Sequence, residues 1–289
     1  MFAAVYRDGA TTTRSFVVNR FARLYPLHLL TLVLVALLQV MAVQRFGAPL
    51  LYENNDAKHF ALQLFFASAW RHWDQSFNGP IWSVSIEVLV YTLFWLLHRR
   101  LFVRGSLLPL ALSMLFGLAR WVGVGHLFFF CGQLFFLGCA IFMIHDAMTR
   151  PKVHVAFALT LLAAGAMLWW SDLLPLIVGM PLAFAGLVLL LSALDASALP
   201  RPERLLTMAG DNTYGMYLWH VPVQIAVILL APSAARISEW AQSPWWLVAY
   251  LLLIVGVARL SFLLIEKPAR ERLRLWGKPR QRDAPIAAP

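Results

Sequence analysis

An all-α bundle of about eight membrane-spanning helices is the fold class this sequence predicts, and three observations predict it. The first is composition: 61% of the 289 residues are hydrophobic and only 13% are charged, with mean hydropathy +0.70. A soluble domain sits nearer half apolar and a quarter charged, so this chain has too few polar groups to cover a water-facing surface. The second is a recurrence of apolar segments long enough to cross a bilayer. The third is where the basic residues fall between those segments.

A spanning helix needs about 20 mostly apolar residues. Segments 24–43, 80–98, 106–123, 126–144, 153–170, 173–194, 207–230 and 244–265 reach that length or come near it. The piece from His59 to Trp70 is apolar but too short to cross, and an interfacial or re-entrant helix is expected there. Met1 to Tyr6 reads as the tail of a span with no signal peptide before it. From Lys267 the C-terminus is basic and holds Pro268, Pro279, Pro285 and Pro289, and 271–289 is expected to be a disordered cytoplasmic tail.

With the N-terminus inside, 18 of the 24 Lys and Arg fall in cytoplasmic segments. They are Arg7, Arg14, Arg20, Arg23, Arg99, Arg100, Arg104, Arg150, Lys152, Arg201, Arg204 and seven between Lys267 and Arg282. The outer loops hold only Arg45, Lys58, Arg71 and Arg236. Such a bias orients helices during insertion, so the net charge of +10 is a topological signal and argues against a nucleic-acid partner. Cys131 and Cys139 stand eight apart, about 12 Å along a helix and too far for a disulfide. With no C-x-x-C pair and no Cys/His cluster, a metal site is not expected.

Charged groups inside a span cost at least about 2.5–3.5 kcal/mol at the helix centre, so each needs a partner or a role. Glu87 lies mid-span, and Ser83, Glu87 and Tyr91 recur every four residues on one face. A structural carboxyl would explain Glu87, but a site role is the better reading. Thr213, Tyr217 and His220 make a second polar face, and Pro222 after it suits a kinked, cavity-lining helix. Arg20 and Arg23 are three apart before the first span; they read as a positive-inside anchor or as a bidentate clamp for phosphate. Arg259 and Glu266, seven apart on one face of the last span, are explained as well by helix-to-helix ion pairing as by a functional role.

Several of these pieces occur together in one order: Arg20-x-x-Arg23-Leu-Tyr-Pro26-Leu-His28, Asn78-Gly-Pro-Ile-Trp82-Ser83 through Glu87, Phe135-Phe-Leu-Gly138, Thr213 through Tyr217-Leu-Trp219-His220-Val-Pro222, and Ile265-Glu266-Lys-Pro268. The set resembles the acyltransferase-3 family of membrane O-acyltransferases, which modify O-antigens, peptidoglycan and exopolysaccharides. The resemblance implies a ten-span bundle in the bacterial inner membrane, with both termini cytoplasmic. It implies acyl-CoA, usually acetyl-CoA, as donor and a glycan or glycolipid hydroxyl as acceptor.

On the same basis Arg20 and Arg23 are expected to bind the donor. Glu87 and His220 are expected in catalysis, with Asn78, Trp82, Ser83 and Tyr217 contacting substrate. Family members begin with two further spans, the first carrying a histidine thought to act in catalysis. Residues 1–270 are therefore expected to be an N-terminally incomplete domain of this kind, unable by itself to complete acyl transfer. The main alternative is a transporter or flippase for a polar or lipid-linked substrate, in which buried polar groups and prolines look similar. A third reading, a non-catalytic membrane partner, expects Glu87 and His220 to tolerate apolar substitution.

Overall fold

The computed structural model of the chain describes residues 5–7, 11–71, 74–103, 105–148, 150–171, 175–195 and 203–277. Among these residues all regular structure is helical. Two compact units form, one from Met1–Ala10 with Ile86–Arg201 and the other from Thr11–Ser85 with Pro202–Pro289.

The second unit opens with α1, Thr13–Phe46. Its Thr12 cap accepts the Ser15 amide, and it ends at Gly47, whose φ of 78° is one an L side chain rarely adopts. No proline or glycine interrupts the chain between that cap and Pro26, so the helix starts well before the expected span at residue 24. Arg14, Arg20 and Arg23 therefore ride on α1 itself. Asp56 caps α2, Ala57–Leu64, which is shorter than the apolar piece that signalled it because Phe66 turns into the left-handed region at φ 56°.

The spanning helix α3, Ile81–Leu101, has its first residues in this unit and the rest in the other. After it the second unit resumes with α8, Glu203–Leu230, α9, Ala234–Gln242, and α10, Pro244–Ser261. A π turn at Phe262–Glu266 then leads into α11, Lys267–Gly277. Helix α1 packs against α8 and α11, and α8 against α10. Leu32, Val35, Phe77, Val221 and Ile225 form its core. Helix α11 runs to Gly277, into the segment expected to be a tail; 278–289 lie outside the described residues.

The first unit holds the remainder of α3, then α4, Leu108–Trp121, α5, Leu127–Ala147, and α6, Pro151–Trp170. A π turn at Pro175–Gly179 precedes α7, Met180–Asp195. Helices α6 and α7 approach backbone to backbone: a Cβ on Gly165 would lie 2.4 Å from the Ala183 amide, and one on Gly186 2.5 Å from that of Leu162. Pro181 cannot donate to the carbonyl four residues before it, so Ile177 O is left to accept from Gln133 Nε2 at 2.7 Å. Arg120 donates to Gln133 Oε1, which gives that arginine a specific polar partner beyond packing.

All eight expected spans are helices. Six are long and apolar enough to cross a membrane, while Leu108–Trp121 and Ile177–Ala193 are shorter apolar helices. The chain is thus an all-α, multi-pass membrane bundle. Cys131 and Cys139 are both free thiols on α5.

Candidate functional site

In the second unit the polar residues of α1, α3 and α8 meet through a loop. Pro222 withholds an amide from the Leu218 carbonyl one turn earlier on α8. Asn78, fully buried, donates to that carbonyl at 3.2 Å and to Thr31 Oγ1 on α1 at 3.1 Å. Two residues on, Tyr217 donates to the Pro80 carbonyl at 2.8 Å, and the Ser83 hydroxyl lies 3.0 Å from Tyr217 Oη. Asn78, Ser83 and Tyr217, singled out from the sequence, are therefore brought together. Trp82 stands half-buried beside them.

The loop that delivers Asn78 is held from behind. His28 on α1, with no exposed surface, donates from Nε2 to the Gln63 carbonyl at 2.9 Å, and Gln63 Nε2 reaches Ser76 Oγ at 2.9 Å. The Phe66 ring lies 4.5 Å from His28, and Asn55 Oδ1 accepts from the Phe77 amide at 2.7 Å. These contacts hold Phe66 and Phe77 at φ of 56° and 35°, a region costly for such side chains and one found where surrounding structure over-determines the backbone. Gly79 lets the Tyr52 ring pack close: a Cβ there would meet it at 2.5 Å, and the ring would have to move. Burial, and next the neighbouring Tyr217, push the Tyr52 phenol above its ordinary value.

Removing the Asn78 amide would leave two acceptors in this closed site. Asn78→Ala is expected to destabilise the protein by about 1–3 kcal/mol, since buried polar groups left unpaired cost that much. The midpoint of unfolding in detergent checks it, and an unchanged midpoint would mean the loop is held without Asn78.

His220 follows Tyr217 on α8, with ring centroids 6.0 Å apart, and its backbone carbonyl accepts from Tyr250 Oη at 2.8 Å. Its half-buried side chain lines a cavity of about 490 Å³ together with Gln224, Trp240, Trp246 and Tyr250. Thr213 departs from the expected polar face: it is exposed and bonds back to the Ala209 carbonyl at 2.9 Å, while Asn212 beside it is the buried residue of that turn.

Arg20 is half-buried and Arg23 exposed on one face of α1, and Tyr214 Oη donates to the Leu24 carbonyl at 2.7 Å, pinning α8 to α1 beside them. Glu266 does not share a face with Arg259. The wider π turn between them lags the α-helical phase, so Arg259 lies over the Phe262 ring at 5.5 Å, while the charged neighbours of Glu266 are Arg270, Arg23 and Asp211.

Glu87 belongs to the first unit. It is half-buried on α3 and accepts a hydrogen bond from Tyr91, one turn on. The Tyr91 ring is in turn held edge-on by Phe135 of α5 at 5.9 Å. The expected Glu87–Tyr91 face is thus present, while its third member, Ser83, bonds in the other unit.

Sequence reasoning assigned no role to His28, Thr31, Gln63 or Tyr250. Pro222 was the available signal for one of these contacts, because a proline in a helix identifies the carbonyl that needs an outside donor. Compared with known proteins, the chain matches the family described as "Acyltransferase domain" over residues 1–262. No curated protein and no solved structure matches it.

Proposed function

The chain belongs to the acyltransferase domain family, and on that premise we propose that the reaction this domain serves is the movement of an acyl group, acetyl in the first instance, from acyl-CoA to a hydroxyl of a cell-surface glycan or glycolipid. The family match over residues 1–262 carries this reading. Transfer from a thioester to an alcohol requires a base for the hydroxyl proton and stabilisation of the oxyanion; the CoA thiolate then leaves. We assign proton removal to His220 and, in the other unit, a catalytic role that depends on its charge to Glu87. Arg20 and Arg23 take the donor's phosphates, and Asn78, Trp82, Ser83 and Tyr217 form the wall against which substrate is held.

Glu87→Gln tests the assignment. It keeps the shape and the bond from Tyr91 but removes the charge. With the gene at its native locus, glycan acylation measured by mass spectrometry is expected to collapse while the protein still inserts at normal levels. Full acylation in that variant would return Glu87 to a structural part.

The reading also places the protein in the bacterial inner membrane with both termini in the cytoplasm, supported by the bias of Lys and Arg toward one set of loops. A reporter fused after Pro289 is expected to be active only inside the cell, and one in the 45–58 loop only outside. A C-terminal reporter active outside alone would invert the orientation and, with it, the side from which CoA is used.

A further inference from the structure

Glu266 ends the π turn that joins α10 to α11 and is 2% exposed. Neither of its carboxylate oxygens has a hydrogen-bond partner among the described residues, and the same holds for Arg270 Nε. Buried charged groups are ordinarily paired, so both groups at one place need a reason. Arg270 stands one helical turn after Glu266 on the same face, its guanidinium 5.7 Å from the Phe262 ring. The π turn and α11 both pack on α1, which brings Arg23 of α1 within electrostatic reach of Glu266 and Arg270. Arg274 and Asp211 complete the group.

Two guanidiniums from different helices repel one another unless negative charge stands near them. Glu266 supplies that charge from the buried side. It cannot serve every N–H of two forked guanidiniums, and the arginines here outnumber the carboxylates. What such a site takes is an anion with several acceptor oxygens, as a phosphate has. π turns of this kind are also frequent at functional sites.

We propose that the phosphate groups of the acyl donor are held across α1 and α11 by Arg23 and Arg270, with Glu266 as the carboxylate that positions both guanidiniums. This rests on the donor reading above and alters it in one respect. The grip runs between two helices, and the pair on α1 supplies only part of it. Arg270 is then a binding residue and Glu266 a positioning residue.

The test is displacement binding of CoA, and of pantetheine as a phosphate-free control, to the full chain in lipid nanodiscs. Arg270→Ala is expected to weaken CoA binding about 10- to 100-fold and to leave pantetheine unchanged. Arg270→Lys, which keeps the charge without the fork, is expected to lose less, and it serves as the readout where the alanine variant does not fold. Glu266→Gln discriminates by sign. Removing a negative charge near a phosphate should strengthen binding by simple electrostatics, whereas loss of positioning should weaken it several-fold. Arg236→Ala, outside the cluster and paired with Glu239 at 2.8 Å, is expected to bind as the parent does.

CoA binding unchanged in both Arg270 variants but weakened in Arg23→Ala would overturn the cross-helix site and leave the donor reading standing. Unchanged binding in every arginine variant would remove the donor reading with it. Tighter CoA binding by Glu266→Gln would overturn the positioning role.

Discussion

Replacing Arg20 and Arg23 together with alanine is expected to weaken acetyl-CoA binding on the order of 10²–10⁴-fold. Each guanidinium can make charge-assisted hydrogen bonds to phosphate worth about 1.5–3 kcal/mol, and two losses of that size give this range. The fold should survive the change. Arg23 is exposed, Arg20 is half-buried, and the surrounding helix contact is carried by Tyr214 on the Leu24 carbonyl at 2.7 Å. Lysine at both positions should restore only part of the affinity, because an ammonium lacks the planar fork. Calorimetric titration of the purified chain decides it. Unchanged affinity would reduce the pair to the positive-inside anchor that its position also permits.

His220→Ala is expected to lower acyl transfer by about 10²–10⁴-fold, the usual cost of losing a general base. Donor affinity should stay as it was, since the residue is placed on the acceptor's proton and not on the phosphates. The backbone around it is held independently, through the bond from Tyr250 to the His220 carbonyl at 2.8 Å, so the variant should fold. Glutamine at 220 keeps polarity and approximate size without a base and should fail equally. Acylation of the native glycan, at matched protein levels, is the measurement. Transfer within tenfold of the parent would take the base away from His220. A rise in the unfolded fraction together with the loss would assign the residue to packing of the cavity it lines.

The helical class and most spans were legible because lipid imposes them. Every backbone amide must be satisfied within its own segment there, so an apolar stretch of the right length has one regular structure open to it. Where the reading stopped short, the missing information was packing. Residues 271–277 are as basic as any tail, yet they continue α11, which lies against α1. The seven-residue spacing of Arg259 and Glu266 assumed a regular α-helix; the π turn between them gives Glu266 different neighbours. Likewise Thr213 fits the spacing of a polar face with Tyr217 and His220, but its side chain is exposed while Asn212 beside it is buried.

By itself the sequence determined that this is a multi-pass helical membrane protein, and its motifs in their order pointed to the family that residues 1–262 match. Both follow from one-dimensional information: hydropathy along the chain, charge between spans, and residue types at set intervals. Only the tertiary structure decided which polar residues meet. Asn78 reaches Leu218 across 140 positions, and Ser83 reaches Tyr217 across 134. A carbonyl freed by a proline reveals that a donor is needed, but not which helix brings it. That choice belongs to the packing of α1 and α8 and to the turn at Phe77 that delivers Asn78, where the partners lie far apart in the chain.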